Sequence, residues 1–129
     1  LLNDWHDARK ENADLYRQLF ADSLVADKVK LPEVQTYTTR HIYNQFCIRV
    51  ADGRRDELKE ALLAAGVGCD VYYPLCLHEQ ECFSELGYKH GDFPVSELLA
   101  SDIMAIPIFP ELTREQQEYV VATIEKALS

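Results

Sequence analysis

Between residues 43 and 73 the chain spells out a strand, a turn, a helix, a helix stop and a second strand, and this succession constrains the fold more than any other stretch. Phe46, Ile48 and Val50 alternate with Gln45, Cys47 and Arg49, so residues 43–50 read as a half-buried strand with one apolar face. Asp52-Gly53 turns the chain. A helix is expected over 54–65, with Leu58, Ala61, Leu62 and Ala65 on its inner side. Gly66 stands where a helix end takes a left-handed residue. Gly68 to Tyr73 then reads as a second short strand, closed by Pro74.

The flanks extend the same alternation. Residues 3–26 predict a long helix, with Trp5, Ala8, Leu15, Tyr16, Leu19 and Phe20 at helical spacing and Asn3 or Asp4 as its cap. Arg9, Lys10, Glu11, Asp14 and Arg17 fill its polar face. Such an apolar stripe needs a partner, either the rest of this unit or a domain beyond it. Residues 27–41 read as irregular, broken at Pro32. Pro94 suits the first turn of a further helix, whose buried side would carry Val95, Leu98, Leu99 and Ile103. Ala105 to Phe109 predicts a third strand, and Pro107 restricts it to an edge or an irregular pairing. Thr113 and Gln116 form a capping-box pattern before a last helix with Val120, Ile124, Ala127 and Leu128 inward. The expectation is one α/β domain over 1–129, a small sheet of about three strands with helices mainly on one face and a long N-terminal helix.

A chain of 129 residues with 47% hydrophobic residues suits one domain with a real core. The net charge of −9 repels phosphate backbones and disfavours nucleic acid as a partner. Arg54 and Arg55 lie among Asp52, Asp56 and Glu57 and read as a solvated helix start. No apolar run approaches the ~18 residues of a membrane span, and no signal-peptide pattern opens the chain. The four cysteines, at 47, 69, 76 and 82, make no CxxC pair, which fits reduced thiols in a cytoplasmic setting. The absence of an initiator Met suggests a fragment or a processed chain.

Candidate chemistry concentrates in residues 74–93. Cys76, His78 and Cys82 match no common zinc spacing, so no metal is expected. Cys76 with His78 lacks the orienting group that a nucleophilic pair requires. Gly66-Val67-Gly68 follows a helix and leads into a strand, the reverse of a phosphate cradle. Tyr72-Tyr73-Pro74, with His78 beyond, places polar aromatic tips and an imidazole on a loop. From residue chemistry alone this segment is either core or a surface that contacts a ligand or partner.

Several blocks, in order, carry a resemblance. They are Arg9-Lys10-Glu11-Asn12-Ala13, His41-Ile42-Tyr43-Asn44-Gln45-Phe46, Arg55-Asp56-Glu57-Leu58, Tyr72-Tyr73-Pro74, Leu77-His78-Glu79-Gln80, Gly91-Asp92-Phe93-Pro94 and Ile106-Pro107-Ile108-Phe109-Pro110-Glu111-Leu112-Thr113. Together they resemble the C-terminal part of the DegT/DnrJ/EryC1/StrS family of sugar aminotransferases, which use pyridoxal 5'-phosphate (PLP). The resemblance implies the small domain of a fold-type I homodimeric enzyme that aminates a nucleotide-linked keto sugar, with glutamate as amino donor. It implies that the Schiff-base lysine, the acid facing the pyridine nitrogen and most phosphate contacts lie in a large domain before Leu1, so that this piece alone holds no PLP and is inactive. The helix over residues 1–26 would link the two. It also implies substrate contacts at His41, Tyr43, Asn44, Tyr73 and His78, through hydrogen bonds to sugar or phosphate oxygens. Cys76 stands where that family often has proline. A non-catalytic regulatory or binding module derived from the same family is the alternative.

Overall fold

The computed structural model describes residues 1–129. Its elements are α1 (Leu2–Ala21), β1 (Val29–Lys30), β2 (Phe46–Val50), α2 (Arg55–Ala64), α3 (Pro94–Asp102), β3 (Ile103–Ile106) and α4 (Arg114–Leu128). The strands form one antiparallel sheet in the order β1-β2-β3. Phe46 lies opposite Ile106 and Ile48 opposite Met104, so the period-two pattern of β2 meets that of β3 on one face. Those residues and Val50 are buried, packed with Tyr16 and Phe20 of α1, Leu58 and Leu62 of α2, and Val120, Ile124 and Leu128 of α4. The Tyr16 and Phe46 rings stand 5.2 Å apart. On the opposite face, the Arg49 guanidinium makes two close bonds to the Asp102 carboxylate, at 3.0 and 2.6 Å, joining the central strand to the end of α3.

The α/β class, the three-stranded sheet and the one-sided helical cover agree with the sequence pattern, as do Gly66 at φ +75° and the Thr113–Gln116 capping box. Other details differ. The segment read as irregular supplies β1, too short for alternation to reveal. The expected strand at 68–73 is one bridge, in which Asp70 and Ala105 exchange both backbone hydrogen bonds at 3.1 and 2.8 Å. The third strand starts earlier, at Ile103, and stops at Ile106, because Pro107 has no N–H to donate. The first helix begins at Leu2 without a side-chain cap and ends at Ala21. Its core contacts are Ala13, Tyr16 and Phe20, while Trp5 is 42% exposed. The side of α3 expected to be buried is largely open, with Val95 72% and Leu98 54% exposed.

Arg54 and Arg55 are not a solvated start. Arg55 is buried and donates to the carbonyls of Ala100 and Ile103 at 2.8 and 3.3 Å. Arg54 donates to the carbonyls of Leu128 and Ala127 at 2.9 and 2.7 Å. The two cations therefore satisfy the orphan carbonyls where α3 and α4 end, which is also where the helix dipole favours positive charge. Asp92, two residues before α3, accepts from the Lys89 N–H at 2.9 Å.

Arg55→Ala should cost about 1.5–3 kcal/mol, since buried bonds from a charged donor are lost. Thr113→Ala should cost about 1 kcal/mol through the lost cap. Urea unfolding midpoints at unchanged slope check both.

Candidate functional site

The five candidate contact residues fall in three places. The first is a backbone kink at Tyr43, whose φ of +46° is left-handed for a residue with a side chain. Its N–H donates to His41 Nδ1 at 3.1 Å, and the two rings stack at 4.1 Å. Its ring is buried beside Phe46, and its hydroxyl accepts from Arg17 Nη2 at 3.3 Å. His41 stays exposed. Both line a cleft of about 410 Å³ with His6, Lys10, Arg17 and Arg40. Lys10 pairs with Asp14 at 2.6 Å and Arg40 with Asp7 at 3.1 Å. Arg17 pairs with no carboxylate and lies 6.0 Å above the Phe46 ring. It is the cleft's unneutralised cation, held in place by Tyr43. The sequence pattern puts Arg17 on a polar helix face and gives no hint of this role.

Asn44 faces a second groove of about 310 Å³, shared with Asp70, Tyr72 and Phe109. Tyr73 is 72% exposed. His78 is different, because its side chain is only 8% exposed and is bonded on the protein's own terms. His78 Nε2 lies 3.0 Å from Glu97 Oε1. The same oxygen accepts from the N–H groups of Gly91 and Phe93 at 2.9 and 3.2 Å. The imidazole also packs on the Phe93 ring at 4.8 Å, and Tyr88 meets that ring edge-on. One carboxylate of α3 thus closes the 78–93 loop at both ends. Beside it, His90 Nδ1 lies 2.7 Å from Glu79 Oε1 and 3.6 Å from Glu97 Oε2.

Glu97 was not among the sequence candidates. The available signal was an acid in the first turn of a helix whose cap residue, Phe93, has no side-chain oxygen. Burial pushes the Glu97 carboxyl up, but the Gly91 and Phe93 amides and His78 outweigh it and hold the group below the usual glutamate range. The Glu79 bond, with the charge of Glu97, raises the His90 imidazole. Burial, followed by Glu79, pushes the Cys76 thiol up, which opposes a nucleophilic thiolate there.

Three of the lysines are held by polar partners. A Schiff-base lysine needs a neutral amine at working pH. Lys10, the one in the main cleft, is raised by its bond to Asp14. Lys28 is bound to the Leu128 carbonyl and Lys30 to Glu33.

The depressed Glu97 value fixes a pH window. Its contribution is complete above about 4.5 and is lost as pH falls through the lower folded value. The Gly91 and Phe93 amides should therefore resist hydrogen exchange, relative to their intrinsic rates, from neutral pH to about 4.5 and lose that protection below it. Glu97→Ala should remove the protection at every pH while leaving Ile48 and Met104 protected.

Over residues 1–125 the chain matches the DegT/DnrJ/EryC1/StrS aminotransferase family. It is 40% identical over 123 residues to a Geobacillus stearothermophilus protein named "Pleiotropic regulatory protein", covering 95% of this chain and 32% of that one. It is 34% identical over 124 residues to the UDP-N-acetyl-3-dehydro-alpha-D-glucosamine 3-aminotransferase of Acidithiobacillus ferrooxidans, covering 96% and 31%. Among solved structures, a DegT DnrJ EryC1 StrS aminotransferase from Brucella abortus aligns with TM-score 0.78 at 31% identity, covering 95% of this chain and 31% of that one. DesV of S. venezuelae aligns with TM-score 0.85 at 26% identity, covering 96% and 32%. The chain spans about a third of the length of the curated relatives it matches.

Proposed function

The chain belongs to the DegT/DnrJ/EryC1/StrS aminotransferase family, and from that membership we propose that it is the small domain of a PLP-dependent enzyme that aminates a nucleotide-linked keto sugar. Glutamate is the proposed amino donor, a cytoplasmic homodimer the proposed working form. The observation that carries this reading is a match along nearly the whole chain to about a third of enzymes such as the Acidithiobacillus aminotransferase. When bound, PLP serves as an electron sink for amino transfer. The lysine, acid and phosphate contacts it requires are assigned to the remaining two-thirds of the protein. The salt-bridged state of Lys10 supports that division.

In this reading the small domain binds and orients the sugar nucleotide. The exposed His41 imidazole and Tyr73 hydroxyl, with the Asn44 amide, hydrogen-bond sugar or phosphate oxygens. Tyr43 and His78 belong to the same set and act mainly by holding these groups, Tyr43 through its stack on His41 and His78 through Glu97. The unneutralised Arg17 adds positive charge where an anionic substrate would approach, in a chain that is otherwise acidic.

A non-catalytic regulatory or binding module is the second reading. The Geobacillus relative carries a regulatory name, and a folded non-catalytic unit could serve as a binding module. The coding sequence upstream of Leu1 separates the two, since a large domain there supports the enzyme and a start codon immediately before Leu1 removes it.

In the full-length protein, Tyr73→Phe and His41→Ala should each raise KM for the sugar nucleotide about tenfold with kcat little changed, the pattern of lost uniform binding. Steady-state transamination with glutamate checks this. Unchanged KM in both variants would refute the contact assignment, and no turnover with any nucleotide-linked keto sugar would refute the enzyme reading.

A further inference from the structure

We propose that His78, Glu79, His90 and Glu97 form a binding site for one divalent transition-metal ion of the zinc class. One ligand atom from each of His78, Glu79 and Glu97 lies within 4.8 Å of the other two. His90 Nδ1 joins them, at 2.7 Å from Glu79 and 3.6 Å from Glu97. In a tetrahedral zinc site with bonds of about 2.0–2.1 Å, neighbouring donor atoms sit about 3.3 Å apart. His78 Nε2 lies 3.0 Å from Glu97 Oε1 and His90 Nδ1 3.6 Å from Glu97 Oε2, so each imidazole is near that spacing from one oxygen of the shared carboxylate. The 2.7 Å contact has to open by about 0.6 Å, which is open to His90 because its side chain is 80% exposed.

The charge balance points the same way. The side chains of Glu79 and Glu97 are only 21% and 10% exposed, and no lysine or arginine pairs with either. These two poorly solvated carboxylates share one small volume. A divalent cation neutralises them without borrowing a proton. The orientation is prepared as well. Glu97 Oε1 is anchored by two backbone amides, leaving Oε2 turned toward His90, and the buried His78 ring is fixed against Phe93. Two imidazoles and two carboxylates form a nitrogen and oxygen donor set of borderline softness, suited to zinc and, as probes, to cobalt or nickel. Cys76 is not among the converging ligand atoms. Sequence spacing conceals the site because its four ligands come from one short 3-10 turn (Leu77–Glu79), a loop and α3, with no paired motif.

Isothermal titration of the 129-residue chain with zinc chloride at pH 7.5, after chelator treatment and dialysis, tests the proposal. One equivalent should bind, and cobalt chloride should give the intense visible bands of a tetrahedral centre. His90→Gln and Glu79→Gln, both outside the core, should each weaken zinc binding at least tenfold with an unchanged circular dichroism spectrum. Cys82→Ser should leave it unaltered. Affinity should fall as pH drops through the histidine range, because the ligands must be deprotonated. Absence of a stoichiometric site in the wild-type chain overturns the proposal and leaves the cluster a set of ion pairs. So does binding that survives both the His90 and Glu79 substitutions, or that is lost in Cys82→Ser.

Discussion

The antiparallel register between Phe46–Val50 and Ile103–Ile106 is the constraint on which the rest of the structure depends. It joins segments more than fifty residues apart and places Phe46, Ile48, Met104 and Ile106 on one apolar face. A slip of one residue would turn Cys47 and Arg49 inward and break the Arg49–Asp102 pair at the same time. Helices α1, α2 and α4 have somewhere to bury Tyr16, Leu62 and Ile124 because that face exists. The position of α3 follows from the same register, since it runs without a break into β3.

The candidate site is built from what this frame leaves over. The Tyr43 kink lies just before β2, so the strand's fixed position aims His41 and Arg17 into the main cleft. The 78–93 loop has few apolar anchors, and residues 81–96 are exposed throughout. Its order comes from polar bonds on Glu97 Oε1, with His78, Gly91 and Phe93 as partners. Regions held this way open at lower free energy than a core strand.

Much of the fold was legible because local rules and tertiary demands agreed. The alternation through Phe46, Ile48 and Val50, the Gly66 stop and the Thr113–Gln116 cap each express a short-range preference that packing kept. The failures share one physical reason, which is that a local pattern does not name its partner. Val95 and Leu98 have helical spacing, but spacing does not say what covers them. Arg54 and Arg55 look solvated among acids, yet their guanidinium groups reach helix ends that only the tertiary fold brings near. The two-residue strand Val29–Lys30 is defined by pairing with β2 and carries no pattern of its own. At the site, the Tyr-Tyr-Pro segment was legible as a loop, and Tyr72 and Tyr73 are exposed there. The Glu97 clamp was not, because its acceptor lies 19 residues from His78 and its donors are backbone amides.

The family match covers nearly all of this chain and only a third of the relatives, and the proposed function rests on that partial overlap. In the proposed enzyme, substrate contacts and loop order fall to the part described here, and covalent chemistry to the rest of the protein. The most direct measurement is borohydride reduction of the 129-residue chain after incubation with PLP and exhaustive dialysis, followed by peptide mass spectrometry. The account predicts no lysine modified to stoichiometric yield, with Lys10 kept protonated by Asp14. One equivalent of reduced cofactor on a single lysine would contradict it.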